Sequence, residues 1–475
     1  MMTDVDGSPR ERLWEGVFTE QDVLTFAELS GDSNPIHVDR VAARRLLFGV
    51  PVVHGVAGVL TLLDAHLAHG GSAPEHIRVA FRHPIPVGAR VQVLRGPSVG
   101  GVTPLILRCG THDATLLSLE GESHPCEQPV KDARPSTGAP ADRAFADDGS
   151  LSGFVAVCTD VAAMAGRYPA AWAGLGATRV AGFAALSRLV GMVMPGRHSL
   201  FTALDVRLVD ADARHASTLE WSVADMRVAI APISLAVSGA GLTGTVQALF
   251  RPRPVVQPSI DEVAELVAPA EFEGTRTLVI GGSRGIGELV AKIVASGGGA
   301  VTITYARGRS DADRVVEEIR AAGYECSAVC AEADDLPTLI GQLPAHTHVF
   351  YLATPVIGSM TFDAAKQRAE YQRVYVGAFR ALIASIHDCS WPETSVFYPS
   401  TTFVNGAPDG FEDYVEGKLA GERACEAMTD EFPDIRILVR RLPRLATDQT
   451  NALVQRPGEP ALPILLDVVR DMMRR

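Results

Sequence analysis

Two apolar runs of helix length stand out along the chain. The first opens at Val56-Ala57-Gly58 and reaches Leu67, and the second opens at Val180-Ala181-Gly182 and reaches Val193. Each has the length of a helix. Strand-like alternation follows each run, at Ile77-Arg78-Val79-Ala80-Phe81-Arg82 and at Leu200 to Val206. A helix wrapped by a sheet, occurring twice, is the implied architecture of the first 250 residues. From Thr277 onward strands alternate with helices, the pattern of βαβ units in a parallel sheet. Two stretches without hydrophobic period, 126–150 and the three-proline run 251–259, read as linkers. The expected domains are therefore 1–130, 151–250 and 265–475.

Composition narrows the function classes. The 475 residues are 47% hydrophobic and 21% charged, which suits folded domains. The 43 basic and 56 acidic side chains give a net charge of -13 with no basic cluster, so nucleic acid is not an expected partner. No run has the length of a membrane span, and the polar N-terminus lacks a signal-peptide core. The seven scattered cysteines contain no C-x-x-C pair; free thiols in the cytoplasm and no metal site are expected. Only Lys131, Lys292, Lys366 and Lys418 are lysines, which draws attention to each.

The first candidate chemistry lies before the first apolar run. Gly31-Asp32-Ser33-Asn34-Pro35 is turn chemistry, and Pro35 bars a continuous helix, so Asp32 and His37 fall around a bend. A carboxylate and an imidazole held together can share a water, as addition of water to a double bond or its removal requires. Gly55 would place an unpaired backbone N–H at a helix start, where it can polarise a thioester carbonyl and stabilise an enolate. The stretch from Phe26 through Ser30-Gly31-Asp32, Asn34-Pro35-Ile36-His37, Asp39, Phe48-Gly49 and His54-Gly55, and on to Phe81 and Pro84, resembles the signature of the MaoC-like (R)-specific enoyl-CoA hydratase/dehydratase family, a hot-dog fold. The resemblance implies that Asp32 and His37 are the acid/base pair, that Asn34 orients them, and that the Gly55 N–H binds the thioester carbonyl. The second segment has no Asp-x-Asn-Pro-x-His, and Arg179 stands where His54-Gly55 would be, so a non-catalytic second hot dog is expected there.

The second candidate begins at the strand Thr277 to Ile280. The run Gly281-Gly282-Ser283-Arg284-Gly285-Ile286-Gly287 and a helical pattern follow it, a context in which backbone N–H groups cradle a pyrophosphate. The next strand ends without the acidic residue that grips a ribose 2′-hydroxyl, while Arg284 and Arg307 could meet a 2′-phosphate, which favours NADP(H). Tyr414 and Lys418 share a helix face at i and i+4, and a nearby ammonium is expected to lower the phenol's pKa so that it can pass a proton to a carbonyl. Ser400, or alternatively Thr401, could hold that carbonyl. The ordered set resembles the short-chain dehydrogenase/reductase family, a Rossmann-like α/β fold. The resemblance implies a Ser400, Tyr414, Lys418 triad, a cofactor loop from Gly281 to Gly287 that includes Ser283, Arg284, Gly285 and Ile286, and contact of Thr447-Asp448 with the nicotinamide end. Three departures stand out: Leu352-Ala353-Thr354-Pro355 replaces Asn-Asn-Ala-Gly, Tyr375 or Val374 stands for a helix Asn, and Pro443-Arg444 replaces Pro-Gly.

The whole is expected to be an α+β double hot-dog half followed by a Rossmann-like domain. It would reduce a 3-oxoacyl thioester of coenzyme A or acyl carrier protein with NADPH and dehydrate the product to a trans-2-enoyl thioester, in fatty-acid-like or polyketide assembly. Hydration followed by oxidation in catabolism is one alternative. A non-catalytic reductase half serving as a docking scaffold is another. Both families pair subunits, so a homodimer is open, although two hot dogs in one chain can meet that need internally.

Overall fold

The computed structural model describes residues 2–3, 9–46, 48–143, 151–211, 215–225, 232–357, 364–391, 393–450 and 458–474. Residues 144–150 of the expected first linker lie outside them. The chain divides into two compact units, Met1–Arg253 and Pro254–Arg475, and the division falls inside the proline-rich run 251–259.

The first unit is built on one sheet of eleven strands. At its middle His76–Phe81 runs antiparallel to Ser199–Leu208, with Ile77 opposite Val206. From there one half proceeds outward through His112–Glu120, Val102–Cys109, Arg90–Arg95 and Pro9–Val17. The other proceeds through Leu242–Phe250, Ile233–Gly239, Thr218–Asp225 and Ser152–Ala156. Apart from the two-residue strand Met2–Thr3, which pairs with the outer edge of Pro9–Val17 as the eleventh, each half numbered by itself has the order 1-3-4-5-2 from edge to centre, and each sends one long helix between its first and second strands. Those helices are Gly55–Ala68 and Ala177–Arg188, the latter continuing as a π-helical turn over Leu189–Val193. Their side chains are buried nearly all round: Val56, Val59, Leu60, Leu62 and Leu63 in the first, Val180, Phe183, Ala184 and Leu186 in the second. Gly58 lets the first helix lie close to the sheet, since a Cβ there would stand 2.9 Å from Leu107. The sequence segments on either side of 126–150 thus share one sheet and one compact unit.

The second unit is a six-stranded parallel sheet in the order Cys326–Cys330, Ala300–Tyr305, Arg276–Ile280, His348–Tyr351, Ser395–Thr401, Arg436–Leu442. This 3-2-1-4-5-6 order is that of the doubly wound dinucleotide-binding sheets, with its crevice beyond the carboxyl ends of the first and fourth strands. Alternate strand residues feed two cores. Val279, Phe350 and Phe397 join Leu289, Ile293, Val315 and Leu465 on one face. Leu278, Tyr351 and Tyr398 join Leu339, Phe379 and Met428 on the other. After the sixth strand comes the helix Ala461–Met473, and no seventh strand occurs among the described residues. No helix among them is long and apolar enough to cross a membrane.

Candidate active sites

In the first unit the helix Glu20–Ser30 is started by a Thr19/Asp22 capping box and stopped by Gly31, whose φ of 72° is left-handed. The chain reverses there, turns through Asp32 to Asn34, and enters the short helix Pro35–Val38. That reversal brings Asp32, His37 and His54 together, with a carboxylate oxygen and one nitrogen of each imidazole all within 4.8 Å of one another. Asp32 is buried, and its carboxylate accepts a hydrogen bond from Ser187 Oγ at 2.6 Å and from the Asn34 N–H at 3.2 Å. Burial raises its pKa, against the pull of His37 and these donors. His37 Nδ1 lies 2.7 Å from the Val52 carbonyl, which can only accept, so Nδ1 carries the proton and Nε2 presents a lone pair. His54 Nε2 likewise donates to the Asp32 carbonyl at 2.9 Å, and the two rings stack with centroids 3.9 Å apart. Burial pulls His37 down to about 3, with the neighbouring His54 adding to the effect, and pulls His54 down to about 4. Both imidazoles are therefore neutral at neutral pH.

Gly55 opens the long helix next to this cluster, and its N-cap residue His54 makes no side-chain capping bond, which leaves helix N–H groups for another acceptor. A Cβ at Gly55 would stand 2.8 Å from the Phe81 ring, so only glycine fits there without displacing the ring. Asn34 departs from the expected role. Its amide does not touch the Asp32 or His37 side chain; it donates to the carbonyls of Gly191 at 2.7 Å, Gly196 at 3.2 Å and Arg197 at 3.3 Å, while its Oδ1 accepts from the Ile36 N–H. Two contributors were missed by sequence reasoning, Ser187 and Gly191, both from the second half. A Cβ on Gly191 would stand 2.2 Å from Asp32 Oδ1. The available signal was Ser187-Arg188 interrupting an otherwise apolar run.

In the second unit the strand Arg276–Ile280 delivers Gly281 at a φ of 81°, and the helix Gly285–Ser296 starts at a φ of 58° without a side-chain cap. A Cβ on Gly287 would stand 2.2 Å from the Gly281 carbonyl oxygen, which explains the third glycine as a close approach of helix to turn. Ser283 is buried in the turn and Ile286 is half-buried against the core of that face. Thr447 lies beside Gly285, 3.9 Å from where a Cβ on it would be. Arg284 turns toward Asp448, 3.9 Å away, rather than to the end of the second strand. Arg307 follows that strand and is exposed, with Glu332 3.7 Å from its Nε.

The expected triad is only partly assembled. The strand runs on to Thr401, so Ser400 and Thr401 are adjacent strand residues with opposite directions. Ser400 Oγ donates to Glu422, which Arg441 grips at 2.8 and 2.6 Å, whereas the hydroxyl of Thr401 accepts from the Phe403 N–H at 3.2 Å and is the group that lowers the Tyr414 pKa against burial. Lys418 is buried; its ammonium donates to the Pro399 carbonyl at 2.8 Å and lies 3.9 Å from the Tyr375 ring centroid and 6.0 Å from that of Tyr414. Burial pulls Lys418 down to about 7 and pushes Tyr414 up to about 12. The expected lowering of the Tyr414 pKa by Lys418 is thus not seen: burial outweighs it, because the ammonium is engaged by Pro399 and Tyr375. Two departures noted in the sequence touch each other, with Tyr375 Oη 2.6 Å from Thr354 Oγ1.

Comparison with known proteins matches residues 3–95 to the MaoC like domain. An uncharacterized oxidoreductase of Methylorubrum extorquens is 31% identical over 173 residues, which is 33% of this chain and 69% of that protein. The 3-hydroxybutyryl-CoA dehydratase of the same organism is 36% identical over 78 residues, 16% of this chain and 50% of that one. Versicolorin reductase 1 of Aspergillus parasiticus is 38% identical over 110 residues, 22% of this chain and 42% of that one. This chain therefore spans about half the length of each of the last two relatives. Among solved structures, a short-chain dehydrogenase from Burkholderia cenocepacia in complex with NADP is 19% identical with a TM-score of 0.39, covering 43% of this chain and 92% of that one. The chain belongs with the oxidoreductases that the 31% identical relative represents, and it carries a MaoC like domain over residues 3–95.

Proposed function

We propose that the protein is a bifunctional enzyme that reduces a 3-oxoacyl thioester with NADPH and dehydrates the resulting 3-hydroxyacyl thioester to a trans-2-enoyl thioester. The observation that carries the dehydratase half is the neutral His37 with an open Nε2, set beside the Asp32 carboxylate at an uncapped helix start. In the hydration direction His37 Nε2 takes a proton from a water that the Asp32 carboxylate holds as the water oxygen bonds to the β-carbon, the Gly55 N–H stabilises the enolate oxygen of the thioester, and the proton on His37 is returned to the α-carbon as the enolate collapses. Dehydration is the same path reversed. The second half of the sheet is read as a non-catalytic hot dog, since Arg179 fills the helix start that corresponds to Gly55.

For the reductase half the chain's own residues fit a dinucleotide. The φ values of Gly281 and Gly285, the close approach at Gly287 and the uncapped helix start together leave a cradle of N–H groups for a pyrophosphate. Exposed Arg307 is placed to meet a 2′-phosphate, and Thr447 would border the nicotinamide end. NADPH, when bound, supplies hydride to the carbonyl carbon. Tyr414 donates the proton to the carbonyl oxygen; burial raises its pKa to about 12, so the phenol holds its proton at neutral pH. Thr401, the hydroxyl that acts on Tyr414, is the one we assign to the substrate carbonyl, with Ser400 holding Glu422. The acyl group is carried on coenzyme A or acyl carrier protein.

The test is a single-pot incubation of the full chain with NADPH and a short 3-oxoacyl thioester, with NADPH absorbance followed and products resolved by mass spectrometry. Loss of NADPH together with a product one water lighter than the hydroxyacyl thioester is expected. Hydration of an enoyl thioester without any NADPH oxidation would refute the reductase reading and favour a docking scaffold. Asp32→Asn should abolish the dehydration step and leave reduction intact.

A further inference from the structure

We propose that Arg251, from the second half of the first unit's sheet, is a positioning residue for the dehydratase site. The inference rests on the reading of Asp32 and His37 as the acid/base pair. Arg251 directly follows the strand Leu242–Phe250 and is 2% exposed. Its backbone N–H donates to the His198 carbonyl at 2.6 Å, its Nε to the Ser199 carbonyl at 2.5 Å and its Nη2 to the Arg197 carbonyl at 2.8 Å. Its Nη1 is buried without a hydrogen-bond partner, and among the described residues no carboxylate forms an ion pair with the guanidinium. A buried cation with one nitrogen unsatisfied is costly, and tying down a loop needs only a neutral donor.

The Arg197 carbonyl shows what the fork does. It accepts from Arg251 Nη2 and also from Asn34 Nδ2 at 3.3 Å. Asn34 in turn reaches both members of the pair: its backbone N–H donates to Asp32 Oδ1, and its Oδ1 caps the short helix that carries His37. The guanidinium thus fixes the carbonyl rim onto which Asn34 locks, and Asn34 sets the separation of carboxylate and imidazole. The titratable and charged groups that act on His37 are Asp32, the neutral His54 and Arg251, and the positive charge of Arg251 opposes protonation of the imidazole. A geometric and an electrostatic effect of one side chain therefore act in the same direction, keeping a neutral base in place.

The experiment follows hydration of a short trans-2-enoyl thioester by the full chain, for wild type, Arg251→Lys, Arg251→Met, Asn34→Ser and the Arg251→Lys/Asn34→Ser double variant. Lysine keeps the charge but lacks the planar fork whose Nε and Nη2 reach the Ser199 and Arg197 carbonyls in fixed directions. Arg251→Lys is expected to lower kcat about 100-fold, the scale of a small misplacement of reacting groups, with KM little changed. The double variant should lose no more than the larger single loss, because both residues act on one carbonyl. Arg251→Met should in addition move the acid limb of the kcat profile to higher pH, while Arg251→Lys leaves that limb in place. Wild-type kcat in Arg251→Lys, or losses that multiply in the double variant, would overturn the proposal; if Arg251→Met fails to fold, these two comparisons still decide it. A wild-type chain that hydrates no enoyl thioester refutes the dehydratase reading and the Arg251 role with it, whereas active wild type with equally active Arg251→Lys refutes the Arg251 role alone.

Discussion

Replacing Ser187 by alanine removes a hydroxyl that donates to the buried Asp32 carboxylate at 2.6 Å and changes little else, since the side chain is packed and alanine nearly fills its volume. A hydrogen bond to a charged group contributes about 1.5–3 kcal/mol. Here it favours the ionised carboxylate, which burial otherwise disfavours, and Asn34 N–H at 3.2 Å is too long to compensate. At about 1.4 kcal/mol per decade the expected loss in kcat for hydration is about ten- to a hundredfold at a fixed pH where Asp32 must be charged. The sign of the pH effect follows from the same contact. Loss of the donor raises the Asp32 pKa, so the rising acid limb of the kcat profile moves to higher pH and part of the activity returns as pH is raised. The assay is steady-state hydration of a short enoyl thioester across pH, with thermal unfolding as a control for the fold. An unchanged plateau and an unmoved acid limb would show that Ser187 does not touch the working carboxylate, and the second half's part in the site would fall with it.

The reductase half offers a direct comparison of two neighbouring hydroxyls: Thr401→Val should lower kcat for carbonyl reduction about 100-fold or more, as loss of a donor to a developing oxyanion does, while Ser400→Ala, which only frees Glu422 and Arg441, should cost less than about tenfold. The reverse ranking would return the role to Ser400. Gly287→Ala forces a Cβ to 2.2 Å from the Gly281 carbonyl oxygen and should weaken NADPH binding about tenfold or more, measured by fluorescence titration, with enoyl hydration unaffected. Acid should loosen the first unit. His54 stays neutral in the fold down to about 4, whereas in the unfolded chain it takes a proton near 6.5, so stability is lost as pH falls through that window, by about 2 kcal/mol at pH 5; urea unfolding at pH 7 and pH 5 measures it, and equal midpoints refute it.

What the sequence made legible was local. Gly31, Pro35 and the short spacing of Asp32 and His37 carry their own turn chemistry, and Gly281 to Gly287 states its close approaches in glycines. What it hid depends on partners far along the chain or on a strand's exact end. The sequence does not mark where this strand ends, so it leaves the directions of Ser400 and Thr401 undetermined, and the strand's extension to Thr401 puts them on opposite sides. Arg284 could not be seen to face Asp448, which lies more than a hundred residues later. The Tyr414 pKa was read from the Lys418 spacing alone, but helical spacing says nothing of how deeply a phenol is buried or which carbonyl takes the ammonium's proton.

The retention of a second half that lacks Asp-x-Asn-Pro-x-His has a physical reason in the first half's needs. With Val56-Ala57-Gly58 set on Val180-Ala181-Gly182, Leu63 of one helix corresponds to Ser187 of the other, and Gly55 corresponds to Arg179. Each difference serves a single site. Ser187 supplies the donor that Asp32 needs, and Gly191 leaves room for its carboxylate. The carbonyls of Gly191, Gly196 and Arg197 hold Asn34. Arg179, meanwhile, is buried and donates to the carbonyls of His124 at 2.5 Å and Val209 at 3.0 Å, so its own helix start is closed to a thioester. Neither half contains a complete site. An isolated stretch ending near residue 130 would keep Asp32, His37, Gly55 and the Asn34 N–H but lose the Ser187 donor and the carbonyls that hold Asn34, so the proposed dehydratase site needs the whole of Met1–Arg253 rather than the matched residues 3–95 alone.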